Sequence, residues 1–366
     1  MKVKRKFAKN VNGLKYFYLQ SGYLNREKSN TILFLHGFPE LSYSFRYLME
    51  YFTKEGYFCV APDQRGYGFT KLKKNKKDKV TNYSILNLTK DIFCFLKELK
   101  ISKVNIVGHD FGSYVTCYFS LIYPDFIKSV VTMSMPFSGT KNKKYNFDIK
   151  KINEGLKALK PSKKHYQVYF SGKSANNNMT NSKQGIFKFL RAYYHFKSFD
   201  YQNNLPYKLK NISPVQLSEM PEYYIMKKNL GMSQTVKKYM PSKLQIDNCF
   251  WLNNKDLKIY AESFRKNTFQ GPLNWYRMMI DRKEKKRILD LKLPSNLKFP
   301  SIFIAGKSDW GIYQKPGEFE NMKKFFTNNF KAFIIEKAGH WVQQENPKKT
   351  FEIIINFYKS NIKNNI

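Results

Sequence analysis

The sequence predicts an α/β protein: a mostly parallel, open central sheet covered by helices, with a mainly helical segment inserted late in the sheet. Three observations predict it. Short apolar runs of buried-strand type alternate with helical periodicities through residues 1–135. Across 136–293 that alternation stops, and helical patterns alternate with polar loops such as Ser171 to Gln184 and Lys197 to Asn211. Strand-like runs then return within 294–366. The expected organisation is a first core part, a cap insert and a second core part at those boundaries, with no internal repeat.

Taken in order, Arg5 to Ala8 and Lys15 to Gln20 flank Asn10-Val-Asn-Gly and read as an opening β-hairpin. Thr31 to Leu35 is a buried-strand run that ends in His36-Gly37-Phe38-Pro39-Glu40. Phe45, Leu48, Met49 and Phe52 recur at helical spacing, and Gly56 stops that helix. Tyr57 to Ala61 is the next strand and leads into the Gly-rich turn Pro62-Asp-Gln-Arg-Gly-Tyr-Gly68. A helix follows from Ser84 to Leu99, its apolar stripe being Ile85, Leu88, Ile92, Phe95, Leu96 and Leu99. Val104 to Val107 is a β-branched run that enters Gly108-His109-Asp110-Phe111-Gly112, after which the pattern turns helical. Ser129 to Met133, Ser301 to Gly306 and Lys331 to Glu336 complete the strands, and a helix from Pro347 to Ile362 closes the chain. Strands joined by helical crossovers are parallel, and such sheets carry their sites beyond the carboxyl ends of the strands. His36, the Asp63 loop and Asp110 all follow strands directly, so they belong to one face.

Composition bounds the function. The chain has 366 residues, 42% of them hydrophobic, enough for a large core, and no apolar run reaches the length of a membrane span. Met1-Lys-Val-Lys-Arg-Lys-Phe-Ala is basic but lacks the apolar stretch of a signal peptide. Cys59, Cys94, Cys117 and Cys249 show no C-x-x-C spacing and read as reduced, packed residues. The expected location is therefore the cytoplasm, with export by a route lacking a recognisable signal left open. A net charge of +38 raises nucleic-acid or anionic-membrane contact. The excess is mostly lysine spread along the chain, as in the loop Lys71 to Lys79, and it travels with abundant Asn, Tyr, Phe and Ile. No helix-turn-helix, zinc-finger or RNP-like pattern accompanies it, so no specific nucleic-acid partner is expected. Oligomeric state is not legible.

Gly108-x-Asp110-x-Gly112 has the spacing of a nucleophile elbow, G-x-S-x-G, with a carboxylate in place of the serine. Larger side chains at Gly108 or Gly112 would collide with neighbouring backbone at so sharp a turn. The pentapeptide alone is equally compatible with an Asp that caps the following helix. Partners decide between the two. His340, in Gly339-His-Trp341 after the last strand, is the expected base, although a lone strand-end His is more often structural. Asp309 lies between nucleophile and His in the order this arrangement requires, and it would orient His340; the competing reading is an Asx turn. The His36–Pro39 loop would donate an oxyanion-hole amide from Phe38, with a second from Phe111, the residue after the nucleophile. The arrangement calls for no cofactor and no metal.

These stretches resemble the cytosolic-type epoxide hydrolases of the α/β-hydrolase fold. The resemblance rests on Leu35-His-Gly-Phe-Pro-Glu, Ala61-Pro-Asp-Gln-Arg-Gly-Tyr-Gly, Val107-Gly-His-Asp-Phe-Gly and Gly339-His-Trp-Val-Gln-Gln-Glu-Asn-Pro, in the family's order and in both halves of the core. It implies an Asp-nucleophile enzyme that converts epoxides to diols through an alkyl-enzyme ester. It also implies two cap tyrosines that bind the epoxide oxygen: Tyr166 in Tyr-Gln-Val-Tyr-Phe, and Tyr276 in Gly-Pro-Leu-Asn-Trp-Tyr-Arg. Mammalian relatives carry an amino-terminal phosphatase domain, which this sequence is expected to lack.

The framework is shared with haloalkane and haloacid dehalogenases, the first alternative. Dehalogenases usually place Trp after the nucleophile and use Trp or Asn donors to cradle halide, whereas this chain has Phe111 and Phe38. Those phenylalanines also depart from the commoner Trp of epoxide hydrolases, which implies a differently shaped pocket floor. A second alternative, of another class, is a catalytically silent hydrolase fold that binds a ligand. The expected partner is a small hydrophobic epoxide, of fatty-acid or xenobiotic type. Tyr193, Tyr194, Phe196, Tyr223 and Tyr224 suggest a hydrophobic tunnel, against the plainer reading that they are packing.

Overall fold

The computed structural model describes residues 3–25, 30–74, 76–140 and 148–363. Met1 and Lys2 of the basic start, and Asn75 of the lysine-rich loop, lie outside the described residues. The strands are β1 (Lys4–Val11), β2 (Leu14–Ser21), β3 (Thr31–Leu35), β4 (Phe58–Pro62), β5 (Lys71–Leu72), β6 (Val104–His109), β7 (Ile127–Met133), β8 (Lys163–His165), β9 (Ile225–Lys227), β10 (Leu297–Gly306) and β11 (Phe326–Ile335). The main sheet runs β1-β2-β4-β3-β6-β7-β10-β11, with β5 on β2. The β1–β2 hairpin turns at Asn12-Gly13, both at positive φ (47° and 79°), which suits the right-handed twist of the strands. β1, β2, β4 and β5 meet in antiparallel pairings, and from β4 through β11 every neighbour is parallel.

The central strands are apolar on both faces because both are covered. Phe34, Val107, Val131 and Ile304 point to the side packed by the helices Arg46–Lys54 and Pro347–Lys363. Leu33, Leu35, Ile106, Val130 and Phe303 point to the other, with the helices Ile85–Glu98 and Phe111–Ile122. Each fully buried aliphatic of this kind contributes about 1.5–3 kcal/mol. Helix Ile85–Glu98 starts at Ser84, whose side chain accepts the Asn87 amide, and it buries the stripe Ile85, Leu88, Ile92, Phe95 and Leu96.

Parallel register positions the site. Leu35 of β3 lies opposite Gly108 of β6, Met133 of β7 opposite both His109 and Ile304, and Gly306 of β10 opposite Ile335 of β11. The loops that follow β3, β6, β10 and β11 therefore leave the sheet side by side.

Between β7 and β10 the chain builds the helices Ile149–Ala158, Tyr166–Ser171, Gly185–Phe196, Asn254–Asn267, Gln270–Met279 and Arg282–Asp290, among shorter ones. It also forms the antiparallel pair β8–β9, three residues per strand, which has no apolar alternation to betray it. β10 and β11 begin earlier than the apolar runs Ser301 to Gly306 and Lys331 to Glu336 suggest. The added part of β11, Phe-Thr-Asn-Asn-Phe, sits on a sheet edge where polar side chains face outward. No helix among the described residues is long and apolar enough to cross a membrane.

Candidate active site

Asp110 stands at the tip of the turn between β6 and helix Phe111–Ile122, at φ 52° and ψ −119°. That conformation is sparsely populated by residues with a side chain, and positions of this kind carry about 1–3 kcal/mol of strain. The glycines around it are required by contact. A Cβ on Gly108 would meet the Gly112 carbonyl oxygen at 2.4 Å, and one on Gly112 would meet the Leu35 oxygen at 1.9 Å. One on Gly37 would meet the Asp110 Cβ at 2.4 Å, so the β3 loop reaches the carboxylate only because residue 37 lacks a side chain.

The two oxygens of Asp110 face different partners. Oδ1 accepts the Phe38 amide at 3.0 Å, while Oδ2 lies 3.5 Å from His340 Nε2. His340 Nδ1 is 3.0 Å from Asp309 Oδ1, which also accepts the Gly311 amide at 2.7 Å. The structure thus brings Asp110, His340, Asp309 and Phe38 together. Phe111 supplies the first amide of its helix, one of the N–H groups without an intrahelical acceptor. Burial alone would raise the Asp110 pKa, but the His340 hydrogen bond and the charges of His340, Lys197 and His109 hold the carboxyl below the usual range. Burial acts the same way on Asp309, and His340, Lys197 and the Gly311 amide likewise bring it down.

Three carboxylate and imidazole groups around this core carry no role in the sequence reading. Glu40 is fully buried; its Oε2 accepts the Gly37 amide at 3.0 Å and faces His109 Nδ1 at 2.5 Å, and Oε1 accepts from Gln343 at 2.8 Å. His109 Nε2 donates to the His340 carbonyl at 2.7 Å. Both His109 nitrogens face acceptors, which favours a ring protonated on both and paired with Glu40. Burial opposes that charge on His109, yet Glu40 and the neighbouring Asp110 raise its pKa. Glu345 accepts the amides of Gly339 and Trp341, both at 2.9 Å, and of Phe199 at 2.7 Å. It thereby fixes both flanks of His340, although burial pushes its carboxyl up to about 8 against those three amides. The available signal was position: Glu40 and Glu345 lie within the quoted motifs, and His109 precedes Asp110.

The two tyrosines come from separate elements. Tyr166 opens helix Tyr166–Ser171 directly after β8, and its amide donates to Tyr224 at 2.8 Å. Its hydroxyl donates to Gln314 Oε1 at 3.0 Å and accepts from Gln167 Nε2 at 3.2 Å. Tyr276 lies in helix Gln270–Met279, its ring 4.7 Å from that of Phe111, 5.5 Å from Phe38 and 6.0 Å from Tyr166. Burial first, then the Asp110 charge, raises the Tyr166 pKa; for Tyr276 burial, Tyr166 and Asp110 act in that order. Both phenols stay protonated and able to donate.

The helix bearing Tyr276 is docked on the loop after β4. A Cβ on Gly271 would strike the Gly66 oxygen at 2.6 Å, and Trp275 Nε1 donates to the Arg65 carbonyl at 3.0 Å. A cavity of about 570 Å³ lies beside the site, walled by Phe111, Gln167, Trp275, Tyr114 and Met278. Asp110 is not on its wall. Tyr193, Tyr194, Phe196, Tyr223 and Tyr224 are buried and none lines this cavity; Tyr194 instead packs 4.4 Å from Trp341 and donates to the Pro39 carbonyl. No cluster of three or more His, Cys, Asp or Glu suited to a metal ion occurs among the described residues.

A sequence model of the alpha/beta hydrolase fold family matches residues 30–347. The chain is 29% identical to epoxide hydrolase 3 of Siraitia grosvenorii, over 93% of both proteins. It is 25% identical to bifunctional epoxide hydrolase 2 of Sus scrofa, over 90% of this chain and 51% of that protein. The solved structure of potato epoxide hydrolase I superposes with a TM-score of 0.75 at 27% identity, covering 98% of this chain and 100% of the other.

Proposed function

This chain belongs to the alpha/beta hydrolase fold family, and on that premise we propose that it is an epoxide hydrolase working through a covalent ester on Asp110. The observation that carries the reading is the Asp110 carboxylate at the elbow tip, one oxygen held by the Phe38 amide and the other facing His340. Epoxide hydrolysis is also the activity named for the relatives above.

An epoxide carbon is saturated, so the first step is displacement, and a carboxylate suits it because the resulting ester can be hydrolysed. Oδ1 is engaged by an amide, which leaves Oδ2 as the attacking atom. As the new C–O bond forms, the ring C–O bond breaks, and the departing oxygen takes a proton from the Tyr166/Tyr276 pair. General-acid help of this kind contributes roughly 10²–10⁴-fold. In the second step His340, oriented by Asp309, removes a proton from water, and the hydroxide adds to the Asp110 carboxyl carbon. The oxyanion then develops on the oxygen already facing the Phe38 amide, with the Phe111 amide as second donor; loss of one such donor costs about 2.7–4 kcal/mol. Collapse releases the vicinal diol and the Asp110 carboxylate, and the proton on His340 returns to the tyrosinate. Residues 136–293 act as the cap that brings the tyrosines over the core, and the substrate is a hydrophobic epoxide of fatty-acid or xenobiotic type.

Single turnover in ¹⁸O water tests the route. Label should appear in the Asp110 carboxylate and not in the first diol released. Label only in the diol would exclude the ester. Halide release from haloalkanes, measured beside diol formation, would favour the dehalogenase alternative.

A further inference from the structure

Lys197 ends helix Gly185–Phe196, and only 4% of it is exposed. Its backbone is part of the site, because its carbonyl accepts the His340 amide at 2.9 Å. Its ammonium stands among four rings, 5.2 Å from Tyr224, 5.3 Å from Trp341, 5.5 Å from Tyr223 and 5.6 Å from Tyr193. Two of those rings join it to the reaction centre. Tyr224 packs against Tyr166 at 5.0 Å, and Tyr193 against Phe38 at 6.3 Å.

Aromatic faces favour a cation but accept none of its three N–H bonds. Among the described residues no hydrogen-bond acceptor and no carboxylate within 4.0 Å serves this ammonium. The nearby carboxylates are engaged elsewhere: Asp110 with Phe38 and His340, Glu40 with His109, and Asp309 through Oδ1 with His340. Asp309 Oδ2 is buried and has no hydrogen-bond partner, which makes it an internal rival for Lys197 through a bridging water. Buried charges are normally paired, and an ammonium with unused donors near Asp110 can take an acceptor that arrives from outside.

We propose that the Lys197 ammonium is an anion-recognition point of the active site, and that the preferred substrates are epoxides bearing a carboxylate close to the oxirane ring. Proximity follows from the shared rings: a group that reaches the aromatic cage from a ring held by Tyr166 and Tyr276 has only a short distance to span. A carboxylate there would accept charge-assisted hydrogen bonds, which are roughly twice as strong as neutral ones. The isosteric amide presents the same shape without the charge.

This inference rests on the epoxide-hydrolase reading, and one experiment separates the two. Specificity constants, kcat/KM, are measured for phenylglycidate and phenylglycidamide, for a mid-chain epoxystearate and its amide, and for trans-stilbene oxide. The native enzyme should prefer phenylglycidate over its amide by about tenfold or more, as one charge-assisted contact implies, and should show a smaller preference in the long-chain pair. In Lys197→Met, which keeps the apolar stem in its cage, the acid-to-amide ratio should fall to one or below, whatever happens to absolute rates. Lys197→Arg should retain a preference. Equal handling of acid and amide by the native enzyme, preference only in the long-chain pair, or a ratio unchanged in Lys197→Met would each overturn the proposal. Turnover of trans-stilbene oxide in those cases leaves the epoxide-hydrolase reading standing, and no turnover of any epoxide overturns both. The native ratio decides even if a variant fails to fold.

Discussion

At the scale of single residues, the proposed route assigns Asp110 and His340 to different steps. On that route Asp110→Ala removes the group that attacks, whereas His340→Gln removes the base used only afterwards. His340→Gln should therefore accumulate the alkyl-enzyme, visible by intact-mass spectrometry as an adduct of one substrate mass, with turnover down by roughly 10⁴-fold or more. Asp110→Ala should show no adduct. An adduct-free His340→Gln that is nonetheless inactive would place His340 in the first step. The Glu40–His109 pair makes a second prediction. His109 has a raised folded pKa, so its stabilisation is complete below about pH 6.5 and fades as pH rises through the folded value. Glu40 is pushed up by burial but brought down further by His109, so its share is present above about pH 4.3 and is lost as pH falls through its folded value. Glu40→Gln leaves His109 buried without its partner and should destabilise by about 3–5 kcal/mol. The loss should also be larger at pH 5 than at pH 8, since the unpaired ring is most penalised when charged; melts across that range check it, and a loss independent of pH would mean a neutral His109. Asp110, Asp309 and His340 were legible because each follows a strand at a motif position. The Glu40–His109 contact was not, because it depends on the register of strands 69 residues apart in the chain. Lys197 was invisible for a simpler reason: among 65 lysines and arginines nothing local marks one that is buried.

Among elements, the decisive contact is the one that seats helix Gln270–Met279 on the core. Gly66 and Gly271 touch backbone to backbone, and Gly66 has φ 87°, so alanine there would be strained as well as crowded. Gly271 lies inside the helix, where alanine would ordinarily improve propensity. Gly271→Ala is thus a clean test of the contact, since its Cβ would come within 2.6 Å of the Gly66 oxygen and lift the helix. Overpacking of this type costs about 1–3 kcal/mol, and a shift of about 1 Å in a positioned group can cost roughly 10²-fold in rate. The alkylation rate under single-turnover conditions should fall towards that of Tyr276→Phe, while hydrolysis of the preformed ester changes little. Unaltered alkylation in Gly271→Ala would show that the docking does not set the Tyr276 position. The mainly helical character of the insert was legible from its pattern, and Tyr276 from the family resemblance, but the seat of this helix was not. A glycine in a turn and a glycine in a helix look alike in sequence whether or not they meet. β8–β9 escaped notice for a related reason: three-residue strands containing Lys163 and Lys164 have too few side chains to show a period.

For the whole molecule, the fold class was legible because strand length, crossover length and the order of the site loops all point to one topology. The electrostatics are a separate property. Basic residues number 65 and acidic ones 27, a difference of 38, and many of the acidic groups nearest the site are consumed by buried pairs. The exposed surface is left with strong like-charge repulsion, which opposes the compact state more than the expanded one. Screening lengths shrink from about 30 Å at 0.01 M salt to about 8 Å at 0.15 M. The buried pairs lie beyond the reach of salt, so the net response should come from the surface. Thermal melts in sodium chloride should therefore show Tm rising by about 1–2 °C across that range, an increment of roughly 1 kcal/mol for a chain of this size. Sodium sulfate stabilises by exclusion as well as by screening and serves as a poor control; a comparison of chloride with bromide at equal ionic strength isolates the Coulombic part. A Tm that stays constant or falls as chloride is added would mean that the lysines are already compensated at the surface, and that the +38 charge is arranged rather than merely carried.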